Sequence, residues 1–161
     1  MTKHHARFLL LEQGLGSAVF NLLLNAGIAW VMFRHLAVVP MWGQESIGGD
    51  TLGTCFFLPF CTGLIVTALV QRRIRAGKLA PLEWTRTSHP WLNWLPPGTT
   101  KRSALLGLGT LLVVGPLSIL ALWSASVSEL PLHHFVAFKA LFAAALALLV
   151  TPIISLWALS R

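Results

Sequence analysis

The chain is poor in charge. Only 11% of its 161 residues are Asp, Glu, Lys or Arg, and only five are acidic, where a soluble domain carries about a quarter charged residues. Water is the wrong solvent for such a chain, which excludes an ordinary soluble globular domain. Cysteine is scarce as well. Cys55 and Cys61 stand six residues apart in one apolar run, about 9 Å apart along a helix axis and pointing in different directions. They cannot bridge each other and read as small apolar fillers. A phosphate-binding glycine loop, a nucleophile elbow and a zincin helix are all missing, so no catalytic cluster is recognisable. The sequence is more that of a non-enzyme than of an enzyme, and no cofactor is expected. Gly48-Gly49-Asp50 reads as a turn.

What is present is apolar sequence, 55% of the chain. Each membrane span needs roughly 20 apolar residues, and four runs qualify: about residues 8–33, 51–71, 103–125 and 133–158. The expected fold class is an all-α integral membrane protein, a four-transmembrane-helix bundle forming a single membrane domain over residues 1–161. The first run follows a basic segment, Lys3, His4, His5 and Arg7. It is too long for a cleavable signal peptide and no small-x-small site closes it, so it reads as a retained span. Pro59 and Gly115-Pro116 fall inside later runs and predict kinks, because proline removes a backbone donor, and the fourth run contains Thr151-Pro152.

Lys and Arg outnumber Asp and Glu by 12 to 5. In a soluble protein that excess suggests nucleic acid, but here the cations flank apolar runs, as the positive-inside rule requires. The first connection holds one, Arg34; the second holds seven; the third holds none; Arg161 ends the chain. Both termini and the connection at residues 72–102 are therefore expected in the cytoplasm, with the chain in the plasma membrane of a bacterial-type cell. That long connection mixes Arg72, Arg73, Arg75 and Lys78 with Trp84, Trp91 and Trp94. Such a mixture suits the interface, so this loop is expected to lie on anionic lipid head groups, and no nucleic-acid partner is expected.

A weak repeat runs through the chain. Gly14-Leu15-Gly16-Ser17 matches Gly107-Leu108-Gly109-Thr110, and Leu64-Ile65-Val66-Thr67 resembles Leu148-Leu149-Val150-Thr151. The pairs keep the same direction through the membrane, as a duplicated two-helix hairpin about an axis along the membrane normal would.

Polar side chains in hydrocarbon are costly, so they mark candidate sites. In the first span Gln13, Ser17, Asn21 and Asn25 recur every four residues and form a stripe on one helix face. Such a stripe either lines a hydrated path for a small solute or ion or bonds to a neighbouring helix. Glu12 stands beside its cytoplasmic end, exchanging a proton or pairing with Arg7. Lys139, two turns into the fourth span, either attracts an anion or pairs with Asp50 or Glu129. The third span gathers Ser103, Gly107, Thr110, Ser118, Ala121 and Ala125 on one face, and the fourth Ala137, Ala140, Ala144, Ala147, Thr151 and Ser155; both read as close-packing surfaces. His35, His133 and His134 fall near the outer face without zinc spacing, so no metal is expected.

With His5-Ala6 and Glu12 at the entry to the first span, the compact four-span plan resembles small bacterial multidrug exporters over a few residues. No carboxylate recurs at the matching place in the third span, where Leu105 and Leu106 stand. The leading functional expectation is a small, self-associating membrane transporter or channel-like protein, its path running along Glu12, Gln13, Ser17, Asn21, Asn25 and Lys139. The alternative is a non-catalytic accessory subunit of a larger membrane complex, anchored to lipid by its basic loop.

Overall fold

The structure, a computed structural model, describes residues 14–78, 96 and 98–159. Its elements follow the order α1 (Gly16–Phe33), β1 (Val38–Pro40), α2 (Ile47–Arg75), α3 (Thr99–Ser124), β2 (Glu129–Pro131) and α4 (Leu132–Leu159). All four helices are long and apolar enough to cross a membrane.

Their outward side chains are large and apolar: Leu23, Val31, Phe57, Leu112, Leu117 and Trp123 are all exposed. Asn21, Asn25, Thr51, Thr54, Thr62, Ser103, Lys139, Thr151 and Ser155 are buried instead. A protein that water surrounds has the opposite distribution. Small and polar contacts inside with an apolar exterior are what a lipid solvent selects, since hydrocarbon gives no reason to hide leucine.

Helix α2 begins earlier than the hydropathy pattern predicts. Gly48-Gly49-Asp50, read from sequence as a turn, lies in its first turn. Ser46 caps the helix, its Oγ accepting from the Gly49 N–H at 3.2 Å. Glycine is needed at position 48 for a steric reason: a Cβ there would lie 2.8 Å from the Trp42 ring and 3.0 Å from the Met41 carbonyl oxygen. The two glycines thus serve packing of the preceding loop against the helix start.

Pro59, Pro116 and Pro152 lie within α2, α3 and α4. Proline at position 59 deprives the Cys55 carbonyl of its normal helical donor. Thr110 on α3 offers a replacement, its Oγ1 lying 2.6 Å from Cys55 O, closer than to Leu106 O at 2.9 Å and Gly107 O at 3.0 Å on its own helix. One residue of the predicted small face of α3 therefore repairs a defect in its neighbour. Gly107, one turn away, lets the backbones meet, because a Cβ there would fall 2.8 Å from Phe56 O. The predicted face is otherwise only partly the packing surface: Ser103 and Gly107 are buried, whereas Ala121 and Ala125 are exposed. On α4, Ala140, Ala147, Thr151 and Ser155 are buried as predicted, while Ala137 is exposed.

Packing pairs α2 with α3, α1 with α4, and α2 with α4. Within each helical hairpin the two helices are not close neighbours, for neither α1 with α2 nor α3 with α4 packs closely; α4 lies between α1 and α2. At one end β1 and β2 form an antiparallel ribbon, Val39 opposite Leu130, extended by Met41 N–H to Ser128 O at 2.8 Å. The ribbon ties the α1–α2 connection to the α3–α4 connection and was not foreseen from sequence. Beneath it Phe33 and Phe135 pack ring to ring at 4.7 Å in a core with Ala29, Val39, Met41, Ile47 and Leu122. A second core, Leu58, Val66, Val70, Leu146, Val150 and Ile154 among others, fills the α2–α4 seam toward the other end.

The order helix, strand, helix occurs twice, and exchanging α1 with α3, α2 with α4 and β1 with β2 leaves the three packed helix pairs and the strand pair unchanged, although only α4 also packs on the strands. Burial repeats too. Gly14 and Gly107 are buried, the two residues after each are exposed, and Ser17 and Thr110 are half-buried.

Candidate functional site

Because α1 and α2 do not pack closely on each other, a groove of about 620 Å³ lies between them, with Lys139 of α4 in its lining. Its size falls within the usual range for small-molecule sites, and so does its lining, a mainly apolar wall with a few placed polar groups. Phe20, Leu24 and Ile28 on α1 face Phe57, Ile65 and Leu69 on α2 across it. Deeper in lie Ser17, Asn21 and Asn25 from α1, Asp50, Thr54 and Thr62 from α2, and Lys139 from α4.

The α1 stripe divides into two roles. Ser17 bonds between helices, its Oγ accepting from Thr151 Oγ1 at 2.9 Å. Asn21 and Asn25 do not reach another helix. Asn21 Nδ2 donates to Ser17 O at 2.9 Å, and Asn25 Nδ2 donates to Asn21 O at 3.0 Å. Each amide thus satisfies one donor on its own helix and turns the rest of the group to the groove, although Asn21 is only 7% exposed and Asn25 9%. No hydrogen bond to either amide oxygen is made among the described residues. Two acceptors one helical turn apart therefore face the cavity, about 6 Å apart along the axis.

Helix α2 contributes the opposite wall. Thr54 Oγ1 donates to Asp50 O at 2.8 Å. Thr62 is 8% exposed and its hydroxyl makes no hydrogen bond among the described residues. Cys61 is exposed on the groove, whereas Cys55 is buried behind it.

At the ribbon end the groove is closed by an ion pair. Lys139 Nζ donates to Asp50 Oδ1, with side chains only 5% and 11% exposed. Of the partners the sequence offers Lys139, the fold supplies Asp50; Glu129 sits in the ribbon instead. The pair lies at the seam between the two apolar cores, Lys139 one turn from Phe135 and Asp50 one turn from Ile47. Burying both charges together leaves the seam neutral, where either alone would be an uncompensated ion.

Of the residues singled out by sequence, Ser17, Asn21, Asn25 and Lys139 line this one groove. Glu12 and Gln13 lie outside the described residues, as do Trp84, Trp91 and Trp94. Arg72, Arg73 and Arg75 occupy the last turn of α2, with Lys78 just beyond, all exposed at the end opposite the ribbon. The α2 wall escaped the sequence reading although Asp50, Thr54 and Thr62 fall on one four-residue row, with Leu58 between the last two. That polar periodicity, the counterpart of the α1 stripe, was the available signal, and the turn assigned to Gly48-Gly49-Asp50 hid its first member.

The described histidines are apart from the groove. His35 Nε2 meets Glu45 Oε2 at 2.7 Å on the surface, and the His133 and His134 rings lie 4.2 Å apart. No group of three or more metal-ligating side chains gathers among the described residues. Compared with known proteins, the chain matches no family model, no curated protein and no solved structure.

Proposed function

We propose that the chain is a small membrane transport protein whose solute moves along the α1–α2 groove. The observation that carries this reading is the posture of Asn21 and Asn25. Both are nine-tenths buried or more, yet neither amide bonds to another helix. An intramembrane amide is costly unless it finds a partner, and the groove is where these oxygens meet one. Apolar lips and a polar floor suit an amphipathic solute, its apolar body against Phe20 and Phe57 and its hydroxyl or amine donors toward Asn21, Asn25 and Thr62. The Asp50–Lys139 pair closes one end and acts as the gate. Both termini lie in the cytoplasm of a bacterial-type cell, following the cation distribution, and a second copy covers the open side of the groove. The repeated element order and burial pattern support descent from a duplicated hairpin.

The test is cysteine accessibility in sealed and opened vesicles. In a Cys55→Ala background, native Cys61 and single cysteines at Asn21 and Asn25 are exposed to a membrane-impermeant thiol reagent, with Cys61 removed for the latter two. Labelling at position 21 places water in mid-membrane and supports transport. Protection at all three positions sinks it.

A second reading, an accessory subunit of a larger membrane complex, is favoured by α3. That helix packs closely on α2 alone and leaves Leu112, Leu117 and Trp123 open. Recovery of another membrane protein in fixed ratio from mild detergent is its expected signature; recovery of this chain alone across several detergents counts against it.

A further inference from the structure

At the end of the bundle opposite the ribbon, α2, α3 and α4 enclose a second cavity of about 250 Å³. Its wall includes Thr67, Gln71, Thr99, Arg102, Ser103 and Trp157. The cavity is smaller than the range typical of drug-sized ligands and shares no residue with the α1–α2 groove.

Three features of it point to one ligand chemistry. The start of α3 lines this space through Gly98 and Thr99 and has no side-chain cap, because Gly98, at φ 95°, has none to offer. The helical ladder begins with Arg102 N–H to Gly98 O at 3.2 Å, which leaves the N–H groups of Thr99, Thr100 and Lys101 outside it; of these residues Thr99 lines the cavity, at the positive end of the helix dipole. Next, Ser103 is 3% exposed, and its hydroxyl makes no hydrogen bond among the described residues. A serine in a helix ordinarily turns back to the carbonyl four residues earlier; this one lines the cavity instead. It is held there against Gly63, where a Cβ would approach Ser103 Oγ to 2.3 Å. Last, the described charged side chains at this end are of one sign. Arg102 stands in the wall, its Nε donating to Pro96 O at 2.9 Å, with Lys101 beside it and Arg72, Arg73, Arg75 and Lys78 at the end of α2. The described carboxylates, Glu45, Asp50 and Glu129, all belong to the ribbon end.

We propose that this cavity binds a phosphate group, held by the α3 N-terminus, the Ser103 hydroxyl and the Arg102 charge. Helix N-termini favour such anions through free N–H groups and the helix dipole together. The same chemistry is offered by the head group of an anionic phospholipid and by free inorganic phosphate. Nothing in this assignment depends on what passes through the α1–α2 groove.

The test uses the full chain in neutral detergent, with binding followed by native mass spectrometry and by the shift in melting temperature. Inorganic phosphate, phosphatidylglycerol and phosphatidylcholine of matched chain length are added in parallel. Ser103→Ala is expected to weaken phosphatidylglycerol or phosphate binding roughly ten-fold, the scale of one hydrogen bond to a charged group. Arg102→Gln is expected to weaken it by more. Arg72→Gln/Arg73→Gln/Arg75→Gln is expected to remove only the part of the affinity that high salt also removes. Saturable binding of phosphatidylglycerol without inorganic phosphate identifies a lipid head group, and competition by inorganic phosphate identifies the free ion; both support the site. Binding of neither, or binding that Ser103→Ala and Arg102→Gln leave unchanged while both variants melt like the parent, overturns it.

Discussion

Removing one member of the Asp50–Lys139 pair is expected to cost far more than removing both. The side chains are 11% and 5% exposed, so little solvent reaches either charge. At an effective dielectric near 20, two unit charges about 4 Å apart attract by roughly 4 kcal/mol. Asp50→Asn forfeits that attraction and leaves an ammonium between Phe135 and Ala143, one turn away on either side. Breaking a buried pair this way costs about 3–5 kcal/mol. Lys139→Met leaves the carboxylate alone and falls in the same range. Asp50→Leu/Lys139→Met removes both ions and is expected within about 1 kcal/mol of the parent, because the desolvation cost disappears along with the attraction.

The measurement is reversible unfolding in mixed micelles, with the two singles and the double forming a cycle. Coupling of several kcal/mol is expected, with the double variant more stable than either single. Single variants within 1 kcal/mol of the parent would show that each charge finds water or another partner, and the placement of the pair at a dry seam would be wrong. The same variants separate gate from staple. If the pair only holds α2 to α4, the double variant keeps its labelling pattern at Cys61; if it closes the groove, labelling at Cys61 rises from the ribbon side.

Thr110→Val strands the Cys55 carbonyl and is expected to cost about 1–3 kcal/mol, while Pro59→Ala in the same chain restores most of the loss by returning a helical N–H; no rescue in the unfolding titration refutes the repair. Gly107→Leu pushes a side chain onto Phe56 O, where a Cβ alone would already lie at 2.8 Å, and an overpacking penalty of about 1–3 kcal/mol is expected; a parental melting temperature argues against close α2–α3 contact. Cys61 is expected to react with a membrane-permeant maleimide in the folded protein and Cys55 to react only after unfolding, as peptide mapping of the adducts would show; early labelling of Cys55 contradicts its burial.

Much of the fold was legible because length and hydropathy alone suffice to find helices apolar enough to cross a membrane. Four apolar runs of the right length, separated by proline, glycine and charge, left little choice about the number of helices, and the ends of α3 and α4 fall within a few residues of expectation. The stripe of Ser17, Asn21 and Asn25 was visible from its four-residue spacing, and Lys139 from its cost in hydrocarbon. What the sequence concealed depends on which helices touch. Hydropathy does not say that α4 comes between α1 and α2, so it does not say whether the amides meet a helix or a cavity. Nor could it show that Thr110 answers Pro59, since that bond joins residues 55 positions apart. The ribbon was hidden for a different reason: three-residue strands ending in proline, Val38–Pro40 and Glu129–Pro131, carry no alternation long enough to read.

The two cavities follow from one topological decision. Pairing β1 with β2 draws the two interhelical connections together at one end of the molecule. Each helical hairpin must then open to admit a helix of the other: α4 enters between α1 and α2, and α2 enters between α3 and α4. A hairpin held open in this way cannot close on itself, so it leaves a cleft wherever the intruding helix does not fill it. Between α1 and α2 that cleft is the apolar-lipped groove with a polar floor; between α3 and α4 it is the smaller cavity with the α3 N-terminus in its wall. Apolar sequence alone would have let lipid or leucine fill both. Instead Asn21, Asn25 and Thr62 occupy one and Ser103 the other, each with hydrogen-bonding capacity its own helix does not use. Hydrocarbon offers almost no hydrogen bonds, and the polar groups kept at both clefts are what the two proposed binding sites rest on.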